Sequence, residues 1–224
     1  GFTDLSRFGD DYATSGVNGI CDQIKALEWV RDNISGFGGD PSKVTIAGES
    51  AGGFSVATLL GCEQAQGLFR RAIPQSGATH HTLTDDVGKV VADLLMDELG
   101  VESIDELKSA SVLDILKAQS RVDVRYNPMN IGNGVQAFYP VELNEVLPIP
   151  LRESIRAGVG ASVPVLTGTN KDENTLFVVE KVSPEKLRYQ AKAYGSESLV
   201  EAYREMLPGA TETELAIELG TDFT

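Results

Sequence analysis

The sequence has no cluster of lysine and arginine, no long apolar run, and only two histidines and two cysteines among its 224 residues. A net charge of −14 without a basic cluster argues against nucleic acids and anionic membranes as partners, because both attract basic surfaces. No apolar run reaches the ~18 residues of a membrane-spanning helix, so no membrane span is predicted.

The two cysteines, Cys21 and Cys62, lie in or next to apolar helical patterns. Their spacing does not match a metal-binding motif, and no metal site is predicted from them. Because both cysteines lie in or next to apolar helical patterns, two buried free thiols are favoured over a single disulfide. The absence of a recognisable signal peptide carries no weight, since the chain starts without Met and is expected to begin within a fold.

The remaining sequence is that of a globular protein, with 42% hydrophobic and 23% charged residues. Residues 1–17 are predicted to form a surface loop, and an apolar face at spacings of three and four predicts a helix from Asn18 to about Ile34. Buried strands are predicted at Val44–Ala47, Ala72–Ser76 and Val163–Gly168. Alternating strands and helices predict an α/β protein with a mainly parallel sheet and crossover helices.

Residues 84–162 interrupt this alternation. Helices are predicted to start at Thr84 and Ser103 and to span Ser111–Gln119, and residues 121–162 are expected to be mostly irregular. We interpret the segment as a helical insertion that roofs an active site at the carboxyl end of the sheet. An extra packing layer without a function is the alternative. After the third predicted strand, further helices are predicted to start at Ser183, Ser196 and Thr211. Thr211 is also the first residue of a predicted capping box.

The strongest chemical signal is the run Gly48-Glu49-Ser50-Ala51-Gly52, placed between a predicted strand and a predicted helix. A tight strand-to-helix turn holds a serine hydroxyl clear of the backbone, as a nucleophile requires. Gly48 and Gly52 are expected to remove side chains that would clash with neighbouring backbone. The N–H of Ala51 is predicted to be one oxyanion-hole donor at the start of the helix.

Several blocks of the sequence together resemble the type B carboxylesterases, the α/β-hydrolase family that includes para-nitrobenzyl esterases and cholinesterases. The matching blocks span almost the whole chain and are Asn18–Gln23, Ala26–Val30, Asn33–Ile34, Phe37–Pro41, Val44–Gly53, Gln75–Gly77 and Gly168–Glu173 with Phe177. The resemblance implies a partial α/β-hydrolase fold that acts on small-molecule carboxylic esters without a metal ion or organic cofactor.

The resemblance also implies roles for individual residues. Ser50 matches the nucleophile, and Glu173 matches the acid that orients a catalytic histidine. Asp172 is the neighbouring alternative acid. Ser76 matches a serine that supports the acid, although a serine at this position could instead bond its own backbone in a turn.

The sequence departs from the family pattern in its histidines. The triad order of this fold is Ser, acid, His, and no histidine follows Glu173. His80 and His81 precede the acid, so we interpret them as lining an acyl pocket or lying on the surface rather than as the triad base. A glycine-rich oxyanion loop is expected to precede residue 1. We therefore expect an internal piece of a longer esterase, nearly inactive alone because loss of a triad member costs about 10⁶ in kcat.

The sequence thus predicts a serine carboxylic-ester hydrolase with its catalytic histidine outside residues 1–224. A non-catalytic, esterase-like binding module, comparable to the cell-adhesion members of the family, is one alternative. A split hydrolase, in which another chain supplies the histidine, is the other. The presence of both Ser50 and Glu173 argues against the binding module.

Overall fold

In the computed structural model, which describes residues 1–129, 137–178 and 180–222, the chain divides into two compact units. The first unit comprises Gly1–Pro74 and Ala78–Leu166, and the second comprises Gln75–Gly77 and Thr167–Thr224.

The first unit is built from helices and a small sheet. Its helices are α1 (Asn18–Asn33), α2 (Ala51–Gly61), α3 (Asp85–Leu99), α4 (Ile104–Ser109), α5 (Val112–Met129) and α6 (Leu151–Arg156). Strand β1 (Thr45–Glu49) pairs with β2 (Arg71–Gln75), whose last residue belongs to the second unit. Short 3₁₀ helices span Ser6–Phe8, Asp10–Tyr12, Ser15–Val17, Ile34–Phe37, Pro41–Lys43 and Glu63–Ala65.

Helix α2 connects β1 to β2, which is the crossover connection that the strand–helix alternation predicts. The predicted helix from Asn18 and the positions of the first two predicted strands are confirmed to within about two residues. The predicted burial of the first strand is wrong, because no residue of β1 is buried. One apolar core joins Ile20 and Ile24 of α1 with Val56 and Leu59 of α2. Burial of one face of α1 and most of α2 stabilises the turn between β1 and α2, since the helix cannot shift without exposing this core.

The third predicted strand, Val163–Gly168, is wrong as a continuous strand. The segment forms only isolated parallel bridges, which join Val165 to Ala72 and Gly168 to Gln75. Pro164 has no N–H to donate, and Val165 and Leu166 are 49% and 67% exposed. Within the described residues, no strand flanks this segment on its other side, so nothing there completes a ladder.

Residues 121–162 contain more helix than the sequence analysis predicts. Helix α5 continues past Gln119 to Met129, and α6 spans Leu151–Arg156, while residues 130–136 lie outside the described part of the chain. The extension of α5 follows from burial, because Val122 and Tyr126 are fully buried in a second core with α3. Four-residue spacing puts them on one helical face, and this apolar contact outweighs the polar residues between them.

Residues 1–17 are less of a surface loop than expected. They form three 3₁₀ turns, and Ser15, Gly16 and Val17 are buried at the entrance to α1. The Ser15 hydroxyl accepts a hydrogen bond from the Leu5 N–H at 2.7 Å, which holds the segment against the fold.

The second unit contains a 3₁₀ helix at Glu173–Leu176 and helices α7 (Pro184–Ala193), α8 (Leu199–Met206) and α9 (Glu212–Asp222). Its core includes Leu187, Val200 and Leu219. Ser183 caps α7, and the predicted capping box of α9 is present. Helix α8 starts three residues later than the Ser196 prediction, because Ser196 instead accepts from the Ser198 N–H in a turn.

The two thiols are free, as the sequence predicts, with Cys62 buried and Cys21 partly buried. Among the described residues, no helix is long and apolar enough to cross a membrane. No cluster of three metal-ligating side chains is present in that part of the chain either.

Candidate active site

Ser50 occupies a strained turn between β1 and α2. Its backbone has φ of +50° and ψ of −117°, a conformation that non-glycine residues rarely adopt. Ser50 is exposed and precedes the first residue of α2, and its carbonyl oxygen accepts the Phe54 N–H at 2.9 Å. Strain of this kind persists only where the surrounding structure imposes it, and it holds the Ser50 side chain at the end of the strand.

The two glycines of the turn, Gly48 and Gly52, differ in whether the surrounding structure leaves room for a side chain. A Cβ on Gly48 would lie 2.3 Å from both the carbonyl carbon and the oxygen of Gly52, so a side chain there is excluded. A Cβ on Gly52 would meet no described atom within 4 Å, so the expected clash at Gly52 is wrong. Gly52 contributes the backbone that approaches Gly48. The close approach of strand and helix therefore depends on Gly48.

Ala51 is the first residue of α2 and is exposed to solvent. Its N–H belongs to the first turn of the helix, where backbone donors have no intrahelical acceptor. The positive end of the helix dipole lies at the same place. Glu49 ends β1 and is also exposed. The turn thus presents a hydroxyl and a free backbone donor on consecutive residues.

The Glu173 carboxylate is held by three hydrogen bonds within the second unit. The Ser76 hydroxyl and the Asn170 N–H both donate to Oε1, the latter at 2.7 Å. The Asn170 side-chain Nδ2 donates to Oε2 at 3.3 Å. The Ser76 hydroxyl and then the Asn170 N–H lower the pKa of Glu173 below its usual range, so the side chain is ionised at neutral pH.

Ser76 is positioned for this contact by its backbone. It is buried, has φ of +48°, and donates its N–H to the Gly168 oxygen at 2.9 Å. Its hydroxyl bonds Glu173, so the turn alternative, in which it would bond its own backbone, does not describe this structure. Asp172 is exposed at the N-cap of the short 3₁₀ helix that Glu173 begins.

Sequence reasoning did not identify Asn170, which contributes two of the three donors to Glu173. The signal that could have found it is spacing. A side chain three residues before an acid at the start of a helix lies within hydrogen-bonding reach, as in a capping box.

His80 and His81 belong to a cluster of aromatic rings in the first unit. The His81 ring lies 3.5 Å from the Phe54 ring, 4.2 Å from His80 and 4.9 Å from Tyr139, measured between centroids. His81 Nδ1 is buried without a hydrogen-bond partner among the described residues. Burial, with a smaller effect of His80, lowers the pKa of His81 to about 4, and burial also lowers that of His80. Both imidazoles are therefore neutral at pH 7.

The structure brings the predicted residues together in two groups. The first unit holds Ser50 and Ala51 at one turn, and the second unit holds Glu173 and Ser76 in one hydrogen-bonded group.

Comparison with known proteins gives consistent matches. A family model described as "Carboxylesterase family" matches residues 2–217. The para-nitrobenzyl esterase of Bacillus subtilis (strain 168) is 39% identical over 180 residues, which are 79% of this chain and 35% of that protein. Neuroligin-3 of Mus musculus is 32% identical over 176 residues, which are 78% of this chain and 21% of that protein.

Among solved structures, the Geobacillus stearothermophilus carboxylesterase at pH 6.2 matches with a TM-score of 0.83 and 32% identity. The match covers 99% of this chain and 47% of that one. The chain spans about a third of the length of the esterases among its curated relatives, with 35% and 30% of two of them covered. This likeness confirms the predicted partial α/β-hydrolase fold.

Proposed function

Because the chain belongs to the carboxylesterase family, we propose that it carries the nucleophile and the acid of a serine carboxylic-ester hydrolase. The observation that carries the proposal is the backbone of Ser50, which has a positive φ in a strand-to-helix turn that Gly48 makes possible. Few other roles explain a strained, exposed serine at this place.

In the proposed reaction, Ser50 Oγ attacks the carbonyl carbon of a small-molecule carboxylic ester. A histidine from outside residues 1–224 takes the hydroxyl proton as the new C–O bond forms. The tetrahedral intermediate then collapses, and the histidine returns the proton to the leaving alcohol. Water attacks the resulting acyl-enzyme by the same route and releases the carboxylic acid. The chemistry needs no metal or organic cofactor.

Ala51 supplies one donor to the oxyanion of the intermediate. Its N–H lies at the positive end of α2 and is not used inside the helix. Loss of one such donor typically costs about 3–4 kcal/mol of transition-state stabilisation. A glycine-rich loop from outside residues 1–224 is proposed to supply the others.

Glu173 orients the histidine and stabilises its charged form. Its low pKa supports this role, since the acid has to stay ionised while the imidazole gains a proton. Ser76 holds the carboxylate in place through its hydroxyl. Asp172 is the weaker candidate, because its side chain is exposed at the N-cap of the short 3₁₀ helix, whereas three hydrogen bonds hold the Glu173 carboxylate.

Residues 1–224 alone are proposed to be nearly inactive. These residues include the proposed nucleophile and the proposed acid, but no histidine follows Glu173 in the sequence. Loss of one core member of a serine triad lowers kcat by about 10⁶. Residues 84–162 are proposed to roof the active site in the complete protein.

Hydrolysis of para-nitrophenyl acetate by the natural protein that carries these residues tests the proposal. Ser50→Ala is expected to lower kcat by about 10⁶, as for other triad serines. Ser55→Ala is the matched control, because this serine lies within α2, where its hydroxyl donates to the Ala51 carbonyl oxygen and accepts from the Gln23 side chain. An unchanged rate in Ser50→Ala would contradict the proposal, and no hydrolysis by the natural protein would favour a binding module.

A further inference from the structure

The three hydrogen bonds to Glu173 are distributed unevenly over its two carboxylate oxygens. Oε1 accepts from the Ser76 hydroxyl and from the Asn170 N–H, whereas Oε2 accepts only from Asn170 Nδ2 among the residues that the structure describes. A carboxylate oxygen offers about two acceptor positions. Oε1 is therefore filled, and Oε2 keeps one position open.

The side chain of Asn170 is well suited to the oxygen that stays open. An ionised carboxylate can only accept, so the group of Asn170 that faces Oε2 is its amide NH₂. Together with the backbone N–H of the same residue, this amide contacts both carboxylate oxygens and restricts rotation of the carboxylate about its axis. An N–H donor that approaches Glu173 would find Oε2 in a fixed direction.

We propose that Asn170 is a positioning residue that aims Oε2 of Glu173 at the N–H of the catalytic histidine. The inference rests on the proposed function, in which Glu173 is the triad acid. Ser76 anchors Oε1 from a separate stretch of chain, and Asn170 sets the rotation of the carboxylate. The oxygen with the open acceptor position is the one that bonds the imidazole.

A purely local role is the alternative, because Asn170 and Glu173 are three residues apart in an exposed loop. Such a bond would stabilise the loop without affecting the histidine. The two roles differ in what they change. A local bond affects how much protein is folded, whereas positioning affects the rate per active site and the pH at which the histidine works.

The test uses Asn170→Ala and Asn170→Asp in the complete natural protein, with rates normalised to the number of sites that a fluorophosphonate titrates. Asn170→Ala keeps the backbone N–H bond and removes only the side-chain donor. We expect its kcat to fall roughly 3- to 10-fold with little change in KM, the size of effect that a partly exposed hydrogen bond to a charge provides. Thr169→Ala, a substitution one residue away in the same exposed loop, is the matched control.

Asn170→Asp replaces the donor by a second carboxylate next to Glu173. The added negative charge favours the protonated form of a nearby imidazole. The acidic limb of the kcat/KM profile is therefore expected to move to higher pH, which loss of folded protein alone would not cause. Normalised rates and pH profiles equal to those of Thr169→Ala would overturn the inference, as would losses explained fully by fewer titratable sites.

Glu173→Gln separates this inference from the proposed function. If Glu173→Gln leaves hydrolysis intact, Glu173 is not the acid, and both proposals fail. If Glu173→Gln lowers kcat by several orders of magnitude while both Asn170 variants behave as the control, only the role of Asn170 fails. A large loss in Glu173→Gln together with the smaller, pH-shifted losses at Asn170 supports both.

Discussion

The Ser76 hydroxyl donates a hydrogen bond to the carboxylate of Glu173, a residue 97 positions further along the chain. Ser76 directly follows β2, and Glu173 begins a short 3₁₀ helix. The bond therefore connects two distant segments of sequence at the carboxylate that we propose as the triad acid. It also makes the largest contribution to the low pKa of Glu173.

Ser76→Ala is expected to raise the pKa of Glu173 and to lower kcat roughly tenfold, as loss of a hydrogen bond to a charged group does. The native pKa of Glu173 is lowered, so its contribution to stability is present above the pKa of the unfolded chain and disappears as the pH falls through the native value. The variant should lose that part of the pH dependence. Steady-state kinetics and urea unfolding at pH 3–7 measure both effects, with Ser120→Ala on the exposed face of α5 as the control.

Gly48→Ala and Gly52→Ala form a matched pair at the turn. The new Cβ at position 48 would lie 2.3 Å from the Gly52 backbone, so we expect a loss of about 3 kcal/mol in the free energy of unfolding. Gly52 lies in the first turn of α2 with open space around it, and alanine there should cost little. Urea midpoints of the two variants provide the comparison. Equal destabilisation of both would contradict the assignment of the close contact to Gly48.

His81 is expected to remain neutral to about pH 4, because burial against Phe54 disfavours its charged form. The pKa of an unfolded histidine is about 6.5, so the unfolded chain binds the proton first as the pH falls. Stability from the neutral side chain is therefore complete above about pH 6.5 and decreases from there to about pH 4. The full shift corresponds to about 3 kcal/mol, and solvent screening of the partly exposed ring reduces this amount.

The measurement for His81 is an NMR titration of its ring carbon, combined with unfolding at several pH values. His81→Phe keeps an aromatic ring against Phe54 and removes the titrating group, so its stability should vary less over this range. A titration midpoint near 6.5 in the natural protein would show that the ring is solvated and would contradict the buried geometry.

Much of the first unit could be predicted from sequence because the local signals and the buried contacts agree. The turn at Ser50 needs a strand, a glycine at position 48 and a helix, and all three are readable from neighbouring residues. Helix α3 is equally local, with Thr84 at its start and Gly100 in a left-handed conformation at its end. In these places, propensity and packing favour the same structure.

The sequence-based predictions of secondary structure fail where contacts with distant residues determine whether a segment forms a helix or a strand. Helix α5 extends to Met129 because Tyr126 is buried against α3, which the sequence between Gln119 and Pro128 does not indicate. The sequence around Val165 predicts a strand, but within the described residues this segment pairs with β2 alone, through isolated bridges. Pattern alone does not reveal which neighbours a strand finds.

The candidate site was predictable to the extent that it consists of motifs. Ser50 and Glu173 lie in recognisable runs, and Ser76 follows from the same family resemblance. Asn170 was missed because its contact with Glu173 depends on how a loop folds back, and the three-residue spacing of the two residues is the one sequence signal of that contact. The open position on Oε2 could be recognised only once all three donors were located.

The central claim is that Ser50 is the nucleophile of a longer esterase, and the intact mass of the natural protein, before and after treatment with a fluorophosphonate, tests it most directly. The account predicts a mass well above the 24.0 kDa of residues 1–224 and a single adduct that maps to Ser50 and is absent from Ser50→Ala. A mass of 24.0 kDa with no adduct and no partner that restores labelling would contradict it. A second chain that restores labelling would instead identify a split hydrolase.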